Sequence, residues 1–151
     1  MTIRIETSKR RGIVNKQGTD VSKFERNWDA EISNLFPNAT RRTEVSATYN
    51  CHGLTFACRR SRIPSSTSVR CILADDQWDE VTITDVKAGD IVVYVSSDGD
   101  VNHSGLVVGK HEDLNLPVIC SKWGSAGEFV HLLNDCPPIY GPDNKFYRCR
   151  L

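Results

Sequence analysis

Tyr49-Asn-Cys-His-Gly-Leu-Thr-Phe-Ala57 is the stretch on which the reading of this chain turns. Asn50 is a strong helix N-cap, so the pattern predicts a helix whose first residue is Cys51. Cys51, Leu54, Thr55 and Cys58 then share one face, with Cys58 two turns along on the inward side. Arg59, Arg60 and Arg62 gather near the C-terminal end as a solvated group that complements the helix dipole. A thiol at the first helical position lies beside unpaired backbone N–H groups and the positive end of the dipole, and both favour thiolate over thiol. The same N–H groups suit a developing oxyanion. Gly53 keeps the first turn open to a substrate carbonyl. Taken alone, Cys51 reads equally well as a buried thiol at a helix start.

Upstream, Val21, Phe24, Trp28, Ile32, Leu35 and Phe36 recur at helical spacing, with Asp20 or Ser22 as cap and Pro37 as stop. Residues 1–20 are polar and read as an arm or a weak edge strand, and residues 38–48 as loop. Downstream, Pro64-Ser-Ser-Thr-Ser68 leads into a second helix from about Val69 to Ala74, followed by an acidic, solvated surface at Asp75, Asp76, Asp79 and Glu80. The second half then reads as strands: Ile91–Val95, Val101–Gly109, Pro117–Trp123, Glu128–Leu132 and Lys145–Arg150. Helices first and an antiparallel meander of about five strands second predicts a single α+β domain over residues 1–151. Trp28, Trp78 and Trp123 are expected in the core or as cleft walls.

The chain has 151 residues, 39% hydrophobic and 25% charged, with 19 basic against 19 acidic side chains. That balance carries no mark of a nucleic-acid partner or of a polybasic membrane contact. The apolar runs are strand-sized, too short to cross a bilayer. Met1–Arg11 has charge but no apolar h-region, so the expected location is the cytoplasm, with export left to a dedicated or non-classical route.

Six cysteines in this length fall below the density of a disulfide scaffold, and the expectation is free thiols. No C-x-x-C pair supplies zinc spacing, so neither a metal nor a cofactor is expected. Among four histidines, His111 lies in a polar loop, and His52, adjacent to Cys51, points to another helix face. His103 opens the strand Asn102-His-Ser-Gly-Leu-Val-Val-Gly109 and is the candidate base for Cys51.

Three motifs in order, Tyr49–Ala57, Val86-Lys-Ala-Gly-Asp-Ile-Val-Val-Tyr94 and His103-Ser-Gly-Leu-Val-Val-Gly109, resemble the NlpC-type and CHAP-type cysteine peptidases and amidases, whose core is a circularly permuted papain-like fold. The resemblance spans roughly residues 45–125. It implies Cys51 as nucleophile, His103 as general base and the helix N-terminus as part of an oxyanion hole. Asn50 stands where the family usually has Asp, and His52 where it usually has a small residue. A third polar residue orients the imidazole in such sites. Pairing of strands 101–109 and 117–123 with Gly109 opposite Pro117 sets His103 opposite Trp123, with Ser121 and Trp123 on its face and Lys122 on the other. Ser121 is then favoured as the third residue, His131 on the next strand is the alternative, and Trp123 shields the site.

The expected function is a thiol-dependent hydrolase acting on a peptide or protein amide or isopeptide bond, a peptidoglycan peptide among the candidates. Asn50, His52 and Gly53 shape the oxyanion end. The competing expectations are an inactive papain-like interaction domain and an acyltransferase on the same dyad.

Overall fold

Ser22 opens the first helix, α1 (Lys23–Leu35), with a capping box: its hydroxyl accepts from the Glu25 N–H at 3.1 Å and the Glu25 carboxylate accepts from the Ser22 N–H at 2.7 Å. The computed structural model describes residues 1–150. After α1 come β1 (Thr40–Arg41), α2 (Cys51–Phe56), α3 (Ser66–Asp75), β2 (Trp78–Val81), β3 (Ile91–Val95), β4 (Val101–Lys110), β5 (Pro117–Lys122) and β6 (Glu128–Leu132). A 3-10 turn at Pro138–Tyr140 leads to β7 (Asp143–Cys149).

The strands form one antiparallel sheet of seven, in the order β1-β6-β5-β4-β3-β7-β2. The α+β class is as expected, but the count of about five strands is low by two. β1 is two residues long inside a polar stretch, and β2 carries Asp79 and Glu80, so neither shows an apolar alternation in the sequence. β3 to β6 form the meander, while β7 crosses to pair with β3 and β2.

One sheet face packs on α1: Val92, Tyr94, Val107, Ile119, Trp123 and Phe129 form a core with Ile32 and Phe36. The other carries α2, through Tyr49 and Leu54 on Leu106, Cys120 and Val130, and α3, through Val69 on Val93 and Val101. The apolar stripe of α1 is only half used. Ile32 is buried, whereas Phe24, Trp28 and Leu35 are exposed, the last two lining a shallow groove with Pro137, Pro138 and Ile139.

Three local expectations change. α2 ends at Phe56, so Cys58 is not on its inward face but exposed, at φ 49° in the left-handed region. The Arg59 and Arg62 side chains are not a free helix end: Arg59 pairs bidentately with Glu128 at 2.8 and 2.9 Å, and Arg62 donates to Ser125. Asp75 is buried rather than solvated, accepting from Thr7 and from both Arg11 nitrogens at 2.6–2.7 Å. These bonds, with a bridge between Lys16 and Arg62, tie residues 1–20 against α3 and the turn after α2 instead of leaving an arm. No helix among the described residues is long and apolar enough to cross a membrane.

Candidate active site

Asn50 caps α2, and its amide does more than a cap requires. Oδ1 accepts from the Gly53 N–H at 2.9 Å and from the Ile63 N–H at 3.0 Å, while Nδ2 donates to the Ile63 carbonyl at 2.9 Å. Aspartate has no donor for that carbonyl, which gives a physical reason for Asn here. Gly53 is needed for packing rather than for substrate approach: a Cβ at this position would lie 1.9 Å from the Ser61 carbonyl oxygen. With the Gly53 N–H on the cap and the Leu54 N–H on the Asn50 carbonyl, the first-turn N–H groups of Cys51 and His52 remain for a ligand.

Cys51 is 7% exposed. Burial pushes its thiol up, but the imidazoles of His52 and His103 outweigh burial and hold it well below the usual thiol range. Burial pushes Cys120 up and Cys136 up to about 11. α2 is only six residues long, so its charged neighbours govern this thiol more than the dipole does. All six cysteines are free.

His103 pairs across the sheet with Tyr94 and has no exposed surface. Its ring lies flat on Tyr140, centroids 3.7 Å apart and planes within 4°. Nδ1 and Nε2 of His103 are the only buried side-chain nitrogen or oxygen atoms among the described residues with no hydrogen-bond partner. Such orphaned groups are costly, and functional sites are where they recur.

The expected third residue does not reach His103. The β4–β5 ladder runs from Lys110↔Pro117 to Leu106↔Cys120 and ends there, so His103 and Trp123 are not paired. A bulge at Val108 also sets Gly109 against Val118 instead of Pro117. Ser121 is engaged elsewhere. The Leu132 carbonyl can only accept, so His131 Nδ1 donates to it at 2.7 Å and His131 Nε2 accepts the Ser121 hydroxyl at 2.7 Å. Ser121 Oγ in turn accepts from the Trp123 indole N–H at 3.0 Å. His131 is thus held by Ser121 and Leu132; burial, reinforced by His103, lowers it to about 4. Trp123 is 1% exposed and stacks on Phe129, buttressing this cluster from within the core.

His52 departs most from expectation. It does not point away from Cys51: it is buried, its Nδ1 lies 2.8 Å from Ser104 Oγ, and its charge couples to the thiol. Burial lowers the His52 imidazole, but Cys51 and the Val101 carbonyl raise it by more.

Two further groups border the site. Lys122 is fully buried on the α2 side of the sheet, its ammonium donating at 2.7 Å to the Ser46 and Gly124 carbonyls and lying over the Tyr49 ring. Burial lowers it to about 8. Strand alternation set Lys122 only on the face away from His103; that α2 covers this face follows from the packing of Leu54 on Leu106 and Cys120. Tyr140 had no such signal, because it arrives on a long connection between β6 and β7. Among the described residues no three His, Cys, Asp or Glu side chains come together as metal ligands.

No family model matches the chain, and no curated protein or solved structure matches it significantly.

Proposed function

We propose that this chain is a thiol-dependent hydrolase with a papain-like arrangement, cleaving an amide or isopeptide bond of a peptide or protein. The supporting order is a Cys-bearing helix start followed by antiparallel strands, one of which brings in a histidine. The observation that carries the reading is the Cys51–His103 pair: a buried thiol drawn toward thiolate beside a buried imidazole that no nitrogen or oxygen of the protein engages.

In this mechanism the Cys51 thiol gives its proton to His103 and the sulfur attacks the substrate carbonyl carbon. The C=O electrons move to oxygen, where the N–H groups of Cys51 and His52 receive the negative charge. Collapse expels the amine, which takes the proton from His103, and leaves a thioester on Cys51. His103 then takes a proton from water, the resulting hydroxide attacks the thioester, and the acid leaves as the thiol is restored. An amine in place of water makes the same cycle an acyl transfer. A second reading, an inactive domain of the same architecture, draws on one observation: Tyr140 lies over His103, which lacks an orienting partner.

p-Nitrophenyl acetate tests the reading. The expected result is a burst of one nitrophenol per chain with the acetyl group on Cys51 by peptide mass spectrometry, and loss of turnover in His103→Ala. Acetylation spread over lysines, with no burst, refutes it.

A further inference from the structure

The histidine next to the nucleophile belongs to a closed chain of hydroxyls. Thr55 Oγ1 donates to the Cys51 carbonyl at 2.9 Å, which can only accept. Ser104 Oγ donates its single proton to Thr55 Oγ1 at 2.9 Å. At His52, 2.8 Å away, Ser104 Oγ can therefore only accept, so His52 Nδ1 carries a proton. The direction of the whole chain follows from the carbonyl at its far end. It leaves the His52 ring locked by β4 and by its own helix, buried and adjacent to Cys51.

We infer that His52 is a positioning residue for the Cys51 thiolate: held by Ser104 and Thr55, it is the standing imidazolium counter-ion of the sulfur, while His103, whose nitrogens no nitrogen or oxygen of the protein engages, exchanges protons with the reactants. This division rests on the hydrolase reading above and adds a second histidine to it. Proton balance is simple. His52 takes its proton from solvent and keeps it through the cycle; the Cys51 proton travels through His103 to the leaving amine. The titratable groups around the thiol are His52 on α2, His103 on β4, Lys122 on β5 and Tyr140 in the 3-10 turn. Lys122 directs its hydrogen bonds to two backbone carbonyls and acts on the sulfur through its charge alone, and Tyr140 is neutral, pushed up by burial, so the imidazoles are the cations that can also hydrogen-bond the sulfur. The raised His52 imidazole agrees with this assignment.

The test is the rate of Cys51 alkylation by iodoacetamide from pH 5 to pH 10 in wild type, His52→Gln, Ser104→Ala and His103→Ala. Removing a counter-ion that favours thiolate about tenfold moves the midpoint of the rate profile up by about one pH unit and leaves the rate unchanged near pH 10, where the thiol ionises regardless. His52→Gln is expected to show that pattern. Ser104→Ala, which keeps the imidazole but frees it, is expected to show a smaller shift the same way. Far-UV circular dichroism and an unchanged rate at pH 10 exclude misfolding as the cause. If the His52→Gln and Ser104→Ala profiles superimpose on wild type while His103→Ala shifts, this inference is overturned and the Cys51–His103 pair survives. If Cys51 shows no low-pH reactivity in wild type, both fall.

Discussion

Replacing Glu128 by Gln removes the charge from a fully buried carboxylate that organises the approach to the site. Three side chains meet it through four bonds: Arg59 bidentately at 2.8 and 2.9 Å, Arg42 at 3.2 Å and the Tyr49 hydroxyl at 2.5 Å. Tyr49 lies two residues before Cys51, so this carboxylate anchors the segment that launches α2. Glutamine keeps the shape but offers one acceptor oxygen, and its NH2 faces a donor wherever it turns. Breaking a buried ion pair costs about 3–5 kcal/mol, but Arg59 and Arg42 are 39% and 54% exposed and recover part of that in water. The carboxyl's own titration leads to the same figure. Burial pushes Glu128 up, yet Arg59 and Tyr49 outweigh burial and lower it from 4.5 to about 2, worth about 3 kcal/mol. Because the folded value is depressed, that stability is whole above about pH 4.5 and is lost as pH falls toward 2. Urea denaturation at pH 7 is expected to show Glu128→Gln less stable by about 2–3 kcal/mol at unchanged m-value. Tyr49→Phe, losing one bond to a charged group, is expected to cost about 1.5 kcal/mol. A loss under about 1 kcal/mol for Glu128→Gln refutes this account of the anchor.

Gly53→Ala separates two opposite expectations: helix propensity favours Ala by about 1 kcal/mol, whereas the Ser61 carbonyl 1.9 Å from the new Cβ predicts a loss of about 3 kcal/mol, and a urea midpoint that rises contradicts the packing. His131, lowered chiefly by burial to about 4, is neutral in the fold but binds a proton near pH 6.5 once unfolded, so stability falls by about 1 kcal/mol per unit as pH drops from 6.5 to 4. Urea titrations across that window are expected to flatten in His131→Gln, and an equal slope in both proteins counts against a buried neutral imidazole. Tyr140→Ala removes the ring stacked on His103, a contact worth about 1 kcal/mol, and is expected to speed alkylation of Cys51 at pH 6 about fivefold; a slower rate means that the ring orders the site instead of covering it.

Legibility followed the strength of local signals. Asn50 and Ser22 are caps recognisable without tertiary context, and both helices begin where those residues put them. The five strands with apolar runs were readable for the same reason, whereas β1 and β2 exist through pairing with β6 and β7, which the local sequence does not encode. At the candidate site, the places of Cys51 at the start of α2 and of His103 on β4 were legible from their neighbours. Ser121 was placed on the right face, but its hydroxyl is taken by His131 and by the Trp123 indole, partners that the local sequence does not reveal. The turn of His52 toward Ser104 was hidden for a different reason. Helical spacing says which face a residue leaves from, not which hydroxyl on a facing strand will hold it.

The most direct measurement is competitive: sub-stoichiometric iodoacetamide at pH 6, with peptide mapping of all six thiols. An ordinary thiol is only about 0.3% thiolate at that pH, so reactivity there reports thiolate character more than access. Cys58 is exposed and Cys51 is buried, so access alone favours Cys58. The account predicts label on Cys51 ahead of Cys58, falling in His103→Ala. Label that follows exposure, with Cys58 first and Cys51 silent, contradicts it.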